Sequence, residues 1–132
     1  MLEKDKANLS KYRIEKAREC LRVAEYLLTA EEYLTVLNRT YYAIFHAVRA
    51  ILALDSVDRT KHSGVISYFQ QNYVKTGVFE KEFSKIVQDA FEVRQESDYE
   101  DFYVISKEDA IMQYENAKKF VIAAEEYINS LN

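Results

Sequence analysis

The chain has 132 residues, enough for one hydrophobic core and too few for two. Apolar types make up 48% and charged types 30%, a balance that excludes a disordered polymer. A formal net charge of -4, with both signs mixed along the chain, excludes a broad nonspecific nucleic-acid surface but not a local basic cleft.

Two glycines and no proline are too few for the turns of a β-sandwich or barrel, so long helices with few corners are expected. The first helix is expected from Asn8 or Ser10, either able to cap it, to about Leu28. Ile14, Leu21 and Leu28, with Ala17 and Ala24, give it one apolar stripe. Thr29-Ala30-Glu31-Glu32 holds no strong breaker, which leaves the first turn hard to place. A second helix spans roughly Glu31 to Leu54. From Tyr41 onward it is apolar almost all round, as in a central bundle helix.

Asp55 to Thr60 reads as a loop, followed by a shorter helix from about His62 to Tyr73 that ends at Lys75-Thr76-Gly77. Phe79, Phe83, Ile86, Ala90 and Arg94 then share a stripe, so Arg94 continues a buried line. Ser97 to Val104, SDYEDFYV, interrupts the pattern. Ser106 restarts it as a cap with Asp109, and Ala110, Tyr114, Ala117, Val121, Ala124 and Ile128 follow at bundle spacing. The predicted fold is all-α, an up-and-down bundle of four long helices plus one short helix, as a single domain over 1–132.

Cys20 is the only cysteine and lies in a helical stripe, so it reads as a buried thiol. No internal disulfide or cysteine-based zinc cluster can form. No run reaches the roughly 18 apolar residues of a membrane span, and MLEKDKANLSKYR is too polar for a signal peptide. A cytoplasmic protein with no membrane association is expected.

Arg39, Tyr42, His46 and Arg49 are spaced three, four and three, on one face of the central helix. A guanidinium can grip a phosphate by two directed hydrogen bonds, and an imidazole titrating near neutrality can move a proton. Together they suit metal-independent RNA cleavage, with His46 as acid/base. The competing reading is an arginine paired with a carboxylate and a satisfied core histidine. His62, in KHSG, either lines the same pocket or caps its helix. Arg94, Asp98 and Tyr99 form a second constellation, in which Arg94 and Asp98 suit an i,i+4 ion pair or a structural lock. Glu96, Asp98, Glu100 and Asp101 lack any metal-binding pattern, so no metal and no cofactor are expected. Tyr99 and Tyr103, in the polar interruption, are candidates for an exposed contact or a modified side chain.

NRTYYAIFHAVRAILAL, then KHSGVISYFQQNYVKTGVF, then VRQESDYEDFYVISKEDA resemble the HEPN domain in its small stand-alone branch, over about Ser10 to Ile128. The resemblance implies a four- or five-helix bundle, commonly a homodimer. It also implies, for many members, a metal-independent ribonuclease using an arginine, four to six residues, then a histidine. Arg39 and His46, with six between, satisfy that spacing, although the family's pair usually lies nearer the final helix. In that later region Arg94 is followed by four residues and Tyr99, with no histidine. Relatives are often paired with a minimal nucleotidyltransferase in toxin–antitoxin or stress-response modules, and in some pairs a tyrosine near the motif is adenylylated. Tyr103, then Tyr99, would be the acceptor. The expected function is therefore a HEPN-type module component that binds a nucleotide, RNA or a nucleotidyltransferase partner. The alternative is a metal-independent endoribonuclease using Arg39, His46 or Arg94.

Overall fold

The computed structural model describes residues 3–59 and 61–131. Five α-helices follow in chain order: α1 Lys4–Thr29, α2 Tyr33–Ala53, α3 His62–Phe69, α4 Lys81–Tyr99 and α5 Lys107–Ser130. No β-strand occurs among the described residues. The bundle of four long helices and one short one is the architecture that glycine and proline scarcity predicts.

α2 is the central helix. Thirteen of its 21 residues are buried, more than one face can account for, and it packs against α1, α3, α4 and α5. The other helices each bury a single stripe: Ile14, Ala17, Cys20 and Ala24 on α1, and Ile86, Val87 and Ala90 on α4. On α5 the buried line runs from Ala110 through Phe120 to Ile128. Cys20 is buried as predicted, and burial raises its thiol pKa. At one end of the core Phe69, Phe79, Phe83 and Phe120 meet in edge-on and tilted contacts 5.3 to 6.3 Å apart.

The helix boundaries correct the sequence reading at the start of α1 and the end of α4. α1 starts at Lys4, ahead of both proposed caps. Ser10 is fully buried, and its hydroxyl donates to the Ala50 carbonyl at 2.9 Å, so it tethers α1 to α2 instead of capping. The unmarked turn between them is a Schellman motif. Glu32 N–H donates to Leu27 O and Glu31 N–H to Leu28 O, with Glu31 at φ 60, where glycine usually stands. α2 ends the same way, with Ser56 at φ 57 and Val57 N–H on Leu52 O.

The predicted loop 55–60 lies within the described residues up to Arg59, while Thr60 lies outside them. α3 continues as a π-helical turn over Gln70–Val74, with Lys75 N–H on Gln70 O, and closes at Gly77 with φ 85. α4 extends to Tyr99, so Ser97, Asp98 and Tyr99 are helical and the interruption begins at Glu100. At the start of α5 the Ser106 hydroxyl accepts from Asp109 N–H at 3.1 Å, as its spacing predicts.

Candidate functional site

The apolar bulk of α2 fixes how it sits in the bundle, and this aims its few polar side chains. Tyr42 is the hub. The guanidinium carbons of Arg39 and Arg94 each lie 5.5 Å from its ring centroid, within cation–π range. The His46 and His62 rings lie at 6.1 and 6.2 Å. Two constellations separate in sequence thus share one aromatic ring.

On the α4 side, Arg94 is anchored. Its Nε lies 2.9 Å from Asp98 Oδ2, an ion pair whose angle falls short of a hydrogen bond. Its Nη2 donates a long bond, 3.4 Å, to the Tyr42 hydroxyl, and it also stacks on Tyr41 at 5.2 Å. The predicted i,i+4 ion pair is therefore formed within α4, and it is partly buried. His62 packs on Phe45 at 4.2 Å and shares a 2.7 Å hydrogen bond between Nδ1 and the Tyr41 hydroxyl. Burial, then the charges of Arg94 and Arg49, lower the His62 pKa. Burial above all raises that of Tyr41. Both groups are therefore neutral near pH 7.

On the α1 side, Arg39 and His46 line a small polar pocket of about 150 Å³ with Lys16, Glu19, Cys20 and Val23. Arg39 Nε and Nη2 both donate to the neighbouring Asn38 side-chain oxygen, at 3.0 and 2.7 Å. Arg39 makes no ion pair with a carboxylate among the described residues. The His46 pKa is lowered by burial first, then by Lys16, Arg49, Arg39 and Arg13. Four cations thus bear on one neutral imidazole. An anion entering here would meet the charges of Lys16 and Arg39, set against the one carboxylate of Glu19, and a proton acceptor in His46.

Arg49 departs from its predicted partners. Its Nη2 donates to Asp58 Oδ1 at 2.7 Å, and its guanidinium lies over Phe45 rather than Tyr42. Tyr99 is 83% exposed at the end of α4, outside the Tyr42 cluster, while Tyr103 is half-buried. Burial and the charges of Glu96, Glu100 and Asp109 raise the Tyr103 pKa. No group of three or more His, Cys, Asp or Glu side chains that could hold a metal ion occurs among the described residues. No described helix is long and apolar enough to cross a membrane. Two of the larger depressions, of about 400 and 470 Å³, are lined by opposed charges and lie away from these residues.

Sequence reasoning passed over Tyr41, Lys16 and Arg13. In the sequence Tyr41 counts only as the start of the apolar run of the central helix. Arg13 is 8% exposed, and its signal was available: Arg13, Ala17, Cys20 and Ala24 step by four, three and four, so it continues a buried stripe as Arg94 does.

An antiparallel helical bundle with an arginine–histidine face on its central helix defines a class in which polar chemistry is set between helices rather than in loops. The model of the HEPN domain matches residues 10–127, and the chain belongs to that family. A "UPF0332 protein" of Thermotoga maritima is 37% identical over 96% of each chain. The protein named "Putative toxin MJ0142" of Methanocaldococcus jannaschii is 32% identical over 90% of this chain and 81% of its own. A "UPF0332 protein" of Archaeoglobus fulgidus is 32% identical over 89% and 93%.

Proposed function

We propose that this protein is the RNA- or nucleotide-binding component of a HEPN-type module of the toxin–antitoxin or stress-response kind, gripping phosphate at the α1–α2 pocket. The carrying observation is Arg39, a guanidinium without a carboxylate partner among the described residues, next to a histidine surrounded by cations. Arg39, Lys16 and His46 hold the phosphate. Tyr42 offers a ring edge to base or ribose, and Arg94, fixed by Asp98, keeps that ring in place from its far side. Two Methanocaldococcus jannaschii relatives with provisional toxin names support the module setting. A homodimer and a minimal nucleotidyltransferase are its expected partners. For modification by such a transferase, exposure favours Tyr99 over Tyr103. Fluorescence anisotropy with labelled single-stranded RNA and with mononucleotides tests the binding. Arg39→Ala should weaken it about tenfold or more at unchanged helicity, and a folded parent that binds neither probe ends the reading.

A second reading, a metal-independent endoribonuclease, is favoured by the depressed His46 pKa, which leaves the imidazole free to take a proton from a ribose 2′-hydroxyl. Arg39 or Arg94 would then stabilise charge on the phosphoryl oxygens. Cleavage of RNA in EDTA, lost in His46→Ala and retained in His62→Ala, would establish it. Equal activity in the parent and His46→Ala would remove His46 from the chemistry.

A further inference from the structure

One turn along both helices from the Arg39–His46 pocket, a second pair of cations lies at the same α1–α2 junction. Arg13 lies three residues before Lys16 on α1, and Arg49 three residues after His46 on α2, so the antiparallel helices bring the pair together. Arg13 Nη1 donates to the Arg49 carbonyl at 3.0 Å, which ties the Arg13 side chain to α2, and both guanidinium groups reach the same Asp58 oxygen. Like charges held together in a largely buried setting need an anion, and here a single carboxylate oxygen supplies it. Asp58 Oδ1 is 2.7 Å from Arg49 Nη2 and 3.6 Å from Arg13 Nη2.

That counter-ion is a poor match for what it neutralises. One oxygen serves two guanidinium groups, while Arg49 Nε is buried without an acceptor. The Asp58 side chain is 70% exposed on the α2–α3 connection, so little packing holds it there. A phosphate brings several oxygens in a tetrahedral array and suits paired guanidinium groups better than one carboxylate oxygen does.

From this geometry we infer that Arg13 and Arg49 form a second phosphate subsite, occupied at rest by the Asp58 carboxylate, and that the ligand of this α1–α2 junction is a polynucleotide rather than a mononucleotide. Arg39 and Arg49 are ten residues apart, about 15 Å along the axis of α2. A single phosphate cannot span that distance, whereas phosphates a few nucleotides apart on one strand can. The inference rests on the reading of the Arg39 pocket as a phosphate site and adds to it the length of the ligand and an internal competitor.

The test uses UMP, a short labelled oligouridylate and inorganic phosphate as probes, with the parent, Asp58→Asn and Arg49→Gln proteins. Oligouridylate should bind the parent more tightly than UMP. Asp58→Asn should tighten oligouridylate binding on the order of fivefold and steepen its salt dependence by about 0.7 in log–log slope, as one more phosphate is neutralised. Arg49→Gln should weaken oligouridylate binding several-fold more than UMP binding. Unchanged oligouridylate affinity and slope in both variants overturns the subsite while leaving the Arg39 reading intact. Should the parent bind no nucleotide probe, the Arg39 reading fails, and inorganic phosphate still decides the subsite. Shifts of the Arg13 and Arg49 side-chain NMR signals on adding phosphate to Asp58→Asn would support it, and their absence would overturn it.

Discussion

Tyr42 has an arginine at equal distance on each side, yet the two sides of its ring are prepared differently. On the α4 side Arg94 is tied to Asp98, Tyr41 and Tyr42, and His62 is tied to the Tyr41 hydroxyl. On the α1 side Arg39 holds only its neighbour Asn38, and His46 makes ring contacts with Tyr42 and Phe45 but no side-chain hydrogen bond among the described residues. The same residue types therefore do different work. A guanidinium already held by a carboxylate and two aromatic rings stiffens the helix junction, whereas one without an ionic partner is available to a ligand. What decides between the two is the presence of a carboxylate one helical turn away, as Asp98 is from Arg94.

Stability measurements probe that contrast most strongly. Arg94→Ala removes a partly buried ion pair and contacts with two aromatic rings, and should lower the unfolding free energy by about 2 kcal/mol in urea titrations. Arg39→Ala should lower it by only about 0.5 kcal/mol, since the loss is one ring contact and a local hydrogen bond. Equal losses would erase the distinction between anchored and available arginines. Asp98→Asn sharpens it from the other direction. Its expected destabilisation is about 1 kcal/mol, accompanied by tighter RNA binding, because Arg94 loses its internal counter-ion. Tighter binding in that variant would show that Asp98, and not the position of Arg94, is what reserves that arginine for structure.

The sequence carried the helical stripes well, because burial acts on side chains a turn apart and leaves a period that can be counted. It placed Arg39, Tyr42 and His46 on one face, and it marked Arg94 as continuing a buried line that turns out to face α2. The meeting of Arg94 with Tyr42 was not legible, since 52 residues separate them and no period reports a contact between helices. Glu31 hid the end of α1 because it takes a left-handed position where a glycine would have announced the turn, whereas the polar run from Asp55 marked the end of α2. Ser10 misled for the opposite reason: a residue type suited to capping is used to bridge α1 and α2. Asp58 read only as part of the loop after the central helix, and only the fold shows two arginines converging on one of its oxygens.

The histidines give the finest test of the contrast. Both have pKa values below the ordinary 6.5, His46 through burial and four cations, His62 through burial and two arginines. Between that ordinary value and the lower folded one, the unfolded chain binds a proton that the folded chain does not. Each histidine therefore makes stability fall as the pH drops through this window, with no further change below it. His46→Gln and His62→Gln should each flatten the decline between pH 7 and pH 5. Adding RNA separates the two. A phosphate in the α1–α2 pocket offsets the surrounding cations and raises the His46 pKa, so binding should take up a proton and strengthen as the pH falls. His62, bonded to Tyr41 on the far side of the ring, should feel much less of that charge. The pH dependence of RNA affinity should thus vanish in His46→Gln and persist in His62→Gln. Loss in both, or in His62→Gln alone, would move the phosphate to the Arg94 side and make Arg39 the structural arginine.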